Sequence, residues 1–205
     1  MVAIVDYGVG NLFSLQSSFA AIGAEVVVTA DSDVLWASDR VVLPGVGAFG
    51  DAAKKLRQTG LDAVLKELAA AGKPLLGICL GMQLLFGKSF EYGEHDGLGL
   101  IPGIVRSMEG VVPADYKIPH IGWNALRFTR ENPLFSRISQ GDCVYFVHSF
   151  FADECGDAVI ATAEYGAELT AAVARDNVWG CQFHPEKSGD VGLAILRGFC
   201  EREDL

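Results

Sequence analysis

The first half of the chain alternates short, uniformly apolar runs with longer segments in which apolar residues recur at helical spacing. Short apolar runs bounded by turn residues are typical of buried strands, and the longer amphipathic segments are typical of helices. The pattern predicts strand 2–5, helix 12–22, strands 26–29 and 40–43, helices between residues 52 and 71, and strand 74–78. Strands that alternate with helices indicate right-handed parallel crossovers, so we expect an α/β fold with a mostly parallel sheet and helices on both faces.

The second half has a different pattern, because β-type runs follow one another with few helical stretches between them. It predicts strands 103–108, 125–128, 143–147, 159–163, 170–175 and 178–183, followed by a closing helix 191–200. Arg175, Asp176 and Asn177 favour a tight hairpin between the last two strands. We therefore expect an antiparallel strand region attached to the parallel sheet. Internal repeats and linker-like segments are not visible, so residues 1–205 are predicted to form a single domain.

Composition narrows the class of protein. Half of the 205 residues are hydrophobic and 20% are charged, as in one compact globular domain. The formal net charge of -10 argues against nucleic acid or an anionic membrane as the main partner. The five cysteines are odd in number and lack a CxxC pair, which favours a reducing compartment over a disulfide framework. A signal-peptide pattern and an apolar run of membrane-spanning length are both missing from the sequence, so we expect a cytoplasmic protein.

Cys79 is the first residue with a chemical signature. It stands in GICLG, directly after predicted strand 74–78 and before a helical stretch predicted at 80–86. Glycines on both sides permit the sharp strand-to-helix turn that raises a nucleophile above a sheet, as in the GxSxG elbow. The start of the following helix leaves the Leu80 amide available to donate to a developing oxyanion. A buried structural cysteine is the alternative interpretation, and it is our expectation for the other four cysteines.

His184 and Glu186 in FHPE offer a base and a carboxylate to orient it. Pro185 biases His184 toward an extended backbone, in which residues two apart point to the same side. Glu186 can then hydrogen-bond one imidazole nitrogen and leave the other to face the thiol, as the aspartate of a serine triad does. The alternative is a surface turn with a solvated glutamate.

The other three histidines compete for the role of base. His120 and His148 have no carboxylate two residues away, so we expect structural or binding roles for them. His95 lies between two acidic residues in a polar, glycine-containing stretch that predicts a solvent-exposed loop. A zinc site built on Cys181 and His184 would need further ligands that no local motif supplies, so we expect no metal.

A second glycine-rich loop, LPGVGAFG, occupies residues 43–50 after predicted strand 40–43. Ligands of open α/β sheets bind beyond the carboxyl ends of the strands, where this loop and Cys79 should both lie. Its backbone amides can complete an oxyanion hole with that of Leu80. A phosphate-binding loop is disfavoured, because the complete GxxxxGK[ST] pattern is absent from the sequence, although GVGAFG at residues 45–50 has GxGxxG spacing. The glycines can also be ordinary turn residues.

Seven motifs follow one another from Asp6 to Gly189: DYGVGNL, LPGVGAFGDA, KPLLGICLGMQLLF, GLGLIPG, PHIGWN, YFVHSF and QFHPEKSG. Together they resemble the class I glutamine amidotransferases, whose glutaminase domains carry a Cys-His-Glu triad on a doubly wound α/β fold. GxCxG with HPE is typical of the class as a whole. DYGVGNL, PHIGWN and HPEKS are similar to the corresponding segments of the branch that serves the synthesis of imidazole glycerol phosphate.

The resemblance implies hydrolysis of L-glutamine to glutamate and ammonia. Cys79 attacks the side-chain carboxamide in such a reaction, His184 shuttles protons and Glu186 orients His184. A thioester forms as ammonia leaves, and water then releases glutamate. We expect neither a cofactor nor a metal. The resemblance assigns the oxyanion hole to Val46, Gly47 and Leu80.

Substrate binding falls to residues that match family positions: Gly47, Gln83, Glu91, Ser149 and Phe150. Gln83 lies one helical turn after Cys79, which returns its side chain to the face of the nucleophile. Glu94 competes with Glu91 for the α-amino group of the substrate. Phe150 stands where many relatives carry a tyrosine, so we expect only backbone contacts from that strand.

The resemblance also implies a partner, the (β/α)8-barrel cyclase subunit that makes imidazole glycerol phosphate, in a heterodimer that passes ammonia through a tunnel. The residues that match family positions near this contact are Asn11, Trp123, Asn124 and Lys187. Lys187 lies next to the triad and can pair with a carboxylate of the partner. Neither nucleic acid nor a membrane is expected as a partner.

Three other interpretations remain open. The chain can be a glutaminase subunit of another amidotransferase of this class, a stand-alone cysteine hydrolase of related fold, or a binding module without activity. The hydrolase would leave PHIGWN and DYGVGNL unexplained, and the binding module would leave the complete set of triad residue types unexplained.

Overall fold

The computed structural model describes residues 1–201 and contains a central sheet with helices on both faces. Its strands are, in chain order, β1 (Val2–Val5), β2 (Val26–Thr29), β3 (Arg40–Leu43), β4 (Leu75–Ile78), β5 (Lys88–Ser89), β6 (His95–Asp96), β7 (Ile104–Ser107), β8 (His120–Ala125), β9 (Arg127–Phe128), β10 (Cys143–His148), β11 (Phe150–Asp153), β12 (Val159–Glu164), β13 (Glu168–Arg175) and β14 (Val178–Cys181). Its α-helices are α1 (Leu12–Ala21), α2 (Ser32–Ala37), α3 (Phe49–Thr59), α4 (Leu61–Ala70), α5 (Leu80–Leu84) and α6 (Gly189–Cys200). Short 3₁₀ helices cover Pro133–Phe135, Gly156–Ala158 and Pro185–Lys187.

The central sheet joins a parallel half to an antiparallel half in the order β2-β1-β3-β4-β14-β13-β12-β9. The strands from β2 to β14 run parallel, and β13, β12 and β9 continue the sheet antiparallel. Leu43 at the end of β3 pairs with Gly77, and Cys181 at the end of β14 pairs with Ile78. The residues that follow β3, β4 and β14 therefore meet at one edge of the sheet, where open α/β folds bind their ligands.

Helices cover both faces of the sheet because successive residues of a strand point to opposite sides. In β1, Ala3 and Val5 pack in a buried cluster with α2, α3 and α4, whereas Val2 and Ile4 pack in a second cluster with α1 and α6. This arrangement confirms the predicted α/β class and the mostly parallel sheet with helices on both faces. No helix among residues 1–201 is both long and apolar enough to cross a bilayer.

Two smaller sheets accompany the central sheet. One pairs β8 with β10, and the other has the order β11-β7-β5-β6. The predicted hairpin at residues 175–177 is present, with Asp176 in the left-handed region at φ 52° between β13 and β14. The β8–β10 pair carries the segments PHIGWN and YFVHSF side by side, since His120 pairs with His148.

Several predicted boundaries are wrong. The helix that follows the glycine-rich loop begins at Phe49 rather than at residue 52, and the last strand ends at Cys181 rather than at residue 183. The predicted strand 125–128 is divided between β8 and β9. The helical stretch after Cys79 ends at Leu84 rather than at residue 86.

Helix α2 and strands β5, β6 and β11 were not predicted, and of strand β8 only Ala125 lies in a predicted strand. Helix α2 has six residues, too few to show a helical period. Strand β8 contains Gly122 and Asn124, which are residue types of low strand propensity, and it forms because it pairs along its whole length with β10.

Candidate active site

Cys79 occupies the sharp turn between β4 and α5 that the sequence predicts. Its backbone has φ 55° and ψ −113°, a conformation that residues with a side chain rarely adopt. The Cys79 amide donates to the Cys181 carbonyl at 2.7 Å, which ties the turn to the end of β14. Strain of this kind persists only where the surroundings fix it, and here it lifts the sulfur above the edge of the sheet.

The glycines that flank Cys79 are required by close backbone packing. A Cβ on Gly77 would lie 2.6 Å from the Gly81 carbonyl oxygen, and a Cβ on Gly81 would lie 1.9 Å from the Leu43 carbonyl oxygen. Helix α5 thus begins directly against the ends of β3 and β4. The GxCxG pattern reflects this crowding as well as the conformation of the turn.

We expect Gly81→Ala to lower the free energy of unfolding by about 3 kcal/mol, because the added methyl group cannot fit without moving the end of β3. Urea denaturation of the full chain measures this change. Gly87→Ala is the matched control, since a Cβ on Gly87 meets nothing within 4 Å. Equal losses of stability in the two variants would contradict the packing described here.

His184 and Glu186 form a buried pair beside Cys79. The His184 Nδ1–H donates to Glu186 Oε1 at 2.7 Å, and the Glu186 side chain is 1% exposed. His184 itself is extended, as predicted, but Glu186 lies in the 3₁₀ helix Pro185–Lys187 rather than in an extended segment. The expected partnership of the two side chains is present, although a tight turn rather than strand alternation brings them together.

Hydrogen bonds to Ser188 fix this turn. The Ser188 hydroxyl donates to the His184 carbonyl at 2.7 Å and accepts from the Tyr145 amide at 2.9 Å. The His184 amide donates to the Tyr145 carbonyl at 2.9 Å. Strand β10 therefore holds the imidazole in place from one side while Glu186 holds it from the other.

The surroundings of His184 favour its charged form. Burial lowers the pKa of the imidazole, but its interactions with the side chains of Cys79 and Glu186 outweigh burial and raise the pKa to about 9. The imidazolium therefore persists at neutral pH and faces the thiol across the turn. A thiolate next to such a cation is the reactive form of a catalytic cysteine.

The glycine-rich loop between β3 and α3 lies against the turn that carries Cys79. A Cβ on Gly45 would lie 2.8 Å from the Gly81 amide nitrogen, and Gly47 has φ 91°. The Tyr7 hydroxyl donates to the Pro44 carbonyl at 2.8 Å, which anchors the loop to the end of β1. Burial, with the nearby Cys79, raises the pKa of Tyr7 well above its usual value, so the phenol remains a donor.

A cavity of about 400 Å³ opens between this loop, the Cys79 turn and the end of β10. The predicted site residues that line it are Val46, Gly47, Cys79, Leu80, Gln83, Glu91, Ser149, Phe150, His184 and Lys187. Glu186 lies behind His184. Leu80 is the first residue of α5, so its amide has no acceptor within the helix.

The orientation of the Gln83 side chain is fixed by two hydrogen bonds. Its Nε2 donates to the Phe150 carbonyl at 3.1 Å and to Gln182 Oε1 at 3.0 Å. Both hydrogens of the amide are thereby used, and the Oε1 atom is the remaining polar group. Gln83 can therefore offer the cavity an acceptor.

Glu91 and Glu94, which the sequence does not separate, have different positions in the structure. Glu91 is buried, lines the cavity and accepts from the Phe49 amide at 2.6 Å through Oε2. Glu94 is exposed and forms an ion pair with Lys88. Of the two, Glu91 is the one that can reach a ligand in the cavity.

The residues predicted at a partner contact lie outside the cavity, except for Lys187. Asn11 caps α1, where its Oδ1 accepts from the Ser14 amide at 3.4 Å. Asn124 donates to the Glu164 carbonyl at 2.7 Å, and Trp123 is 57% exposed on β8.

Four cavity-lining residues were missed: Tyr92, Pro119, Val147 and His148. Tyr92 has φ 53° and is 87% exposed, with its ring edge-on to Phe150 at 5.8 Å between centroids. His148 donates from Nδ1 to the Phe150 carbonyl at 2.9 Å and accepts at Nε2 from His120 at 3.1 Å. Proximity in sequence to Glu91 or Ser149 could have indicated Tyr92, Val147 and His148, whereas Pro119 has no such signal.

His120 and His148 form a buried, uncharged pair. Burial lowers the pKa of each imidazole to about 4. His120 is stacked between Phe146 and Tyr165, with ring centroids 4.9 and 4.0 Å away. Neither imidazole therefore carries the charge that His184 holds at neutral pH.

The prediction for His95 is wrong. It lies in β6, partly buried, rather than in an exposed loop, and its ring centroid is 6.4 Å from that of Phe49. Gly50 permits this contact, since a Cβ there would lie 2.7 Å from His95 Cε1.

Comparisons with known proteins identify a matching family and similar chains. A family model described as "Glutamine amidotransferase class-I" matches residues 3–201. The imidazole glycerol phosphate synthase subunit HisH of Bacillus cereus is 50% identical over 199 residues, which cover 97% of this chain and 93% of that protein. The protein of the same name from Sulfurimonas denitrificans is 50% identical over 208 residues, which cover 100% of both chains.

Solved structures of lower identity share the fold. The structure of PurLQS from Thermotoga maritima has a TM-score of 0.77 at 21% identity and covers 97% of this chain and 96% of its own. A crystal structure described as a glutamine amidotransferase has a TM-score of 0.75 at 20% identity and covers 98% of this chain and 100% of its own.

Proposed function

Since the chain belongs to the class I glutamine amidotransferases, we propose that it is the glutaminase subunit of an imidazole glycerol phosphate synthase. It hydrolyses L-glutamine, and the ammonia passes to a (β/α)8-barrel cyclase that makes imidazole glycerol phosphate and AICAR in histidine biosynthesis. The observation that carries the activity is the buried Cys79, His184 and Glu186 constellation at the cavity wall. The identity of about half of all residues with two HisH proteins over nearly full length supports the pathway.

The reaction proceeds through a thioester. The Cys79 sulfur attacks the carboxamide carbon of glutamine, and the C–N bond breaks as His184 gives its proton to the departing ammonia. Water then attacks the thioester, His184 takes a proton from the water, and glutamate leaves as the C–S bond breaks. Glu186 keeps the Nδ1 proton on His184 throughout, which leaves Nε2 to carry the exchanged proton.

Amides on two sides of the cavity are suited to the oxyanion of each tetrahedral intermediate. Leu80 supplies the free amide at the start of α5, and Val46 and Gly47 supply amides from the glycine-rich loop. Such donors stabilise negative charge that develops only in the transition state. The contact of Tyr7 with Pro44 holds the loop close to the nucleophile.

Glutamine lies between Gln83, Glu91 and the segment that contains Ser149 and Phe150. Gln83 Oε1 accepts an N–H of the substrate, because its own amide hydrogens are already used. The Glu91 carboxylate pairs with the α-ammonium group. Gly47 gives the backbone room to approach the substrate, since its φ of 91° suits glycine.

The partner binds over the mouth of the cavity. Trp123 is exposed and its ring lies 5.9 Å from that of Tyr145, over which Lys187 Nζ lies at 5.8 Å from the centroid. This row of side chains leads from the surface to the residue next to Glu186. Asn11 and Asn124 complete the proposed contact surface of the heterodimer.

We further propose that the enzyme is cytoplasmic and that residues 1–205 form one glutaminase domain. The five cysteines are free thiols, as expected in a reducing compartment. The chemistry of the triad needs neither a metal nor a cofactor, and nucleic acid and membranes have no part in it.

Reconstitution with the cyclase tests the function directly. We expect glutamate release by the full chain to rise by about tenfold to a hundredfold when the cyclase and its nucleotide substrate are added. Glutamate release and imidazole glycerol phosphate formation are measured together. A complex that uses free ammonia but releases no glutamate from glutamine would overturn the proposal.

Trp123→Ala tests the contact surface through its effect on affinity for the cyclase. Exposed tryptophans at interface centres contribute about 2 kcal/mol, so the Kd for the cyclase should rise roughly thirtyfold. Trp36→Ala is the matched control, since Trp36 is also exposed but lies on α2. Titration calorimetry measures the Kd of each variant for the cyclase. Equal affinities of the two variants would show that Trp123 does not contribute to the interface.

A further inference from the structure

Gln182 is a fully buried polar side chain to which the mechanism above gives no task. Its relative exposure is 0%, and its backbone amide donates to the Ala171 carbonyl at 2.8 Å. Burial of a primary amide is unfavourable unless its donors and acceptor are paired. The partners of this amide therefore indicate why it is there.

A backbone carbonyl fixes which way the Gln182 amide points. The Phe150 carbonyl can only accept, so the atom of Gln83 that lies 3.1 Å away must be its Nε2 donor. The same Nε2 lies 3.0 Å from Gln182, which must present its oxygen there. Gln182 Nε2 is then the atom at 3.9 Å from Cys79 Sγ, within the distance of an N–H···S hydrogen bond.

We propose that Gln182 is a further catalytic residue whose Nε2–H donates to the sulfur of Cys79 and stabilises its negative charge. The inference rests on the proposed function, because it takes Cys79 as the nucleophile. His184 supplies the imidazolium and the mobile proton, whereas Gln182 supplies a fixed, uncharged donor that keeps its own hydrogens.

This donor acts at two points of the reaction. Before attack it stabilises the thiolate. When water has added to the thioester, the C–S bond breaks and the electron pair leaves with the sulfur, while the proton of the water goes to His184. The Gln182 N–H then stabilises the charge that returns to the sulfur. It is already in place because Gln83, which the Phe150 carbonyl orients, binds the Gln182 oxygen.

Alkylation of Cys79 by iodoacetamide tests the proposal without any glutamine. At neutral pH the reaction needs the thiolate but not the substrate-binding residues. We expect Gln182→Met, which keeps the volume but removes the donor, to slow alkylation about tenfold. Gln58→Met, at an exposed position on α3, is the matched control and should leave the rate unchanged. Peptide mass spectrometry separates Cys79 from the other cysteines.

A second substitution keeps the test decisive if Gln182→Met does not fold. Gln182→Glu keeps an acceptor for Gln83 Nε2 but places a carboxylate oxygen beside the sulfur, so alkylation should be slower still than in Gln182→Met. Wild-type rates in both folded Gln182 variants, or an equal slowing in Gln58→Met, would overturn the proposal. Failure of the proposed function has a different signature: Cys79→Ala would leave glutamate release unchanged, whatever the alkylation rates.

Discussion

Replacement of Cys79 by alanine is expected to reduce glutamate release by the reconstituted complex roughly 10⁴-fold or more, because no other group can form the acyl intermediate. The substitution removes only the sulfur from a turn whose backbone is fixed by Gly77 and Gly81. His184 and the proposed oxyanion amides stay in place but have no covalent adduct to stabilise. Steady-state assays with saturating glutamine and cyclase ligand measure the loss.

Two comparisons separate loss of chemistry from loss of structure. Cys143→Ala removes an exposed thiol outside the cavity and should retain full activity. The Cys79→Ala complex should still make imidazole glycerol phosphate from free ammonia at the wild-type rate, because the cyclase is intact. A thiol-alkylating glutamine analogue should add one adduct to the wild type and none to Cys79→Ala. Glutamate release that survives in Cys79→Ala would exclude the thioester mechanism.

The local geometry around the proposed nucleophile and base could be predicted because local rules determine it. Cys79 needs a sharp turn between a strand and a helix, and the glycines around it are visible in the sequence. The two-residue spacing of His184 and Glu186 is equally visible. The reason given for that spacing was wrong, since the 3₁₀ helix Pro185–Lys187 rather than an extended strand brings the carboxylate back to the imidazole.

Contacts between distant segments could not be predicted in the same way. Gln182 precedes His184 by two residues, yet its partners Gln83 and Cys79 come from another strand and helix. Tyr7 supports the glycine-rich loop from the end of β1, 37 residues away in the chain. A local sequence pattern does not indicate which side chains come into contact when β4 and β14 pair in the sheet.

The secondary structure likewise contains elements that the local sequence determines and elements that depend on contacts between distant segments. Strands β1 to β4 were predicted closely because they are short apolar runs, and β1, β3 and β4 are almost wholly buried. Strand β8 was missed because its alternation is weak and its stability comes from pairing with β10. The choice between Glu91 and Glu94 likewise required the folded chain, since only their positions relative to the cavity distinguish them.

Glu186→Gln is expected to reduce kcat by about 10² to 10⁴, as neutralising the orienting carboxylate does in related triads. The glutamine side chain fits the same space but removes the charge that faces the His184 imidazolium. It can also turn its NH₂ group toward Nδ1 and so favour the wrong tautomer. Glu109→Gln, at an exposed position away from the cavity, is the matched control and should retain activity.

The same variant should move the titration of His184. The imidazole has a pKa of about 9 in part because of Glu186, so loss of the carboxylate must lower that pKa toward 6.5. The raised pKa stabilises the folded chain fully below pH 6.5, and this contribution is lost as the pH rises through about 9. The stability advantage of the wild type over Glu186→Gln should therefore be largest near pH 6 and decline above pH 9. NMR titration of the His184 ring and urea denaturation across this range measure the two effects. An unchanged His184 midpoint in Glu186→Gln would show that Cys79 alone holds the imidazolium.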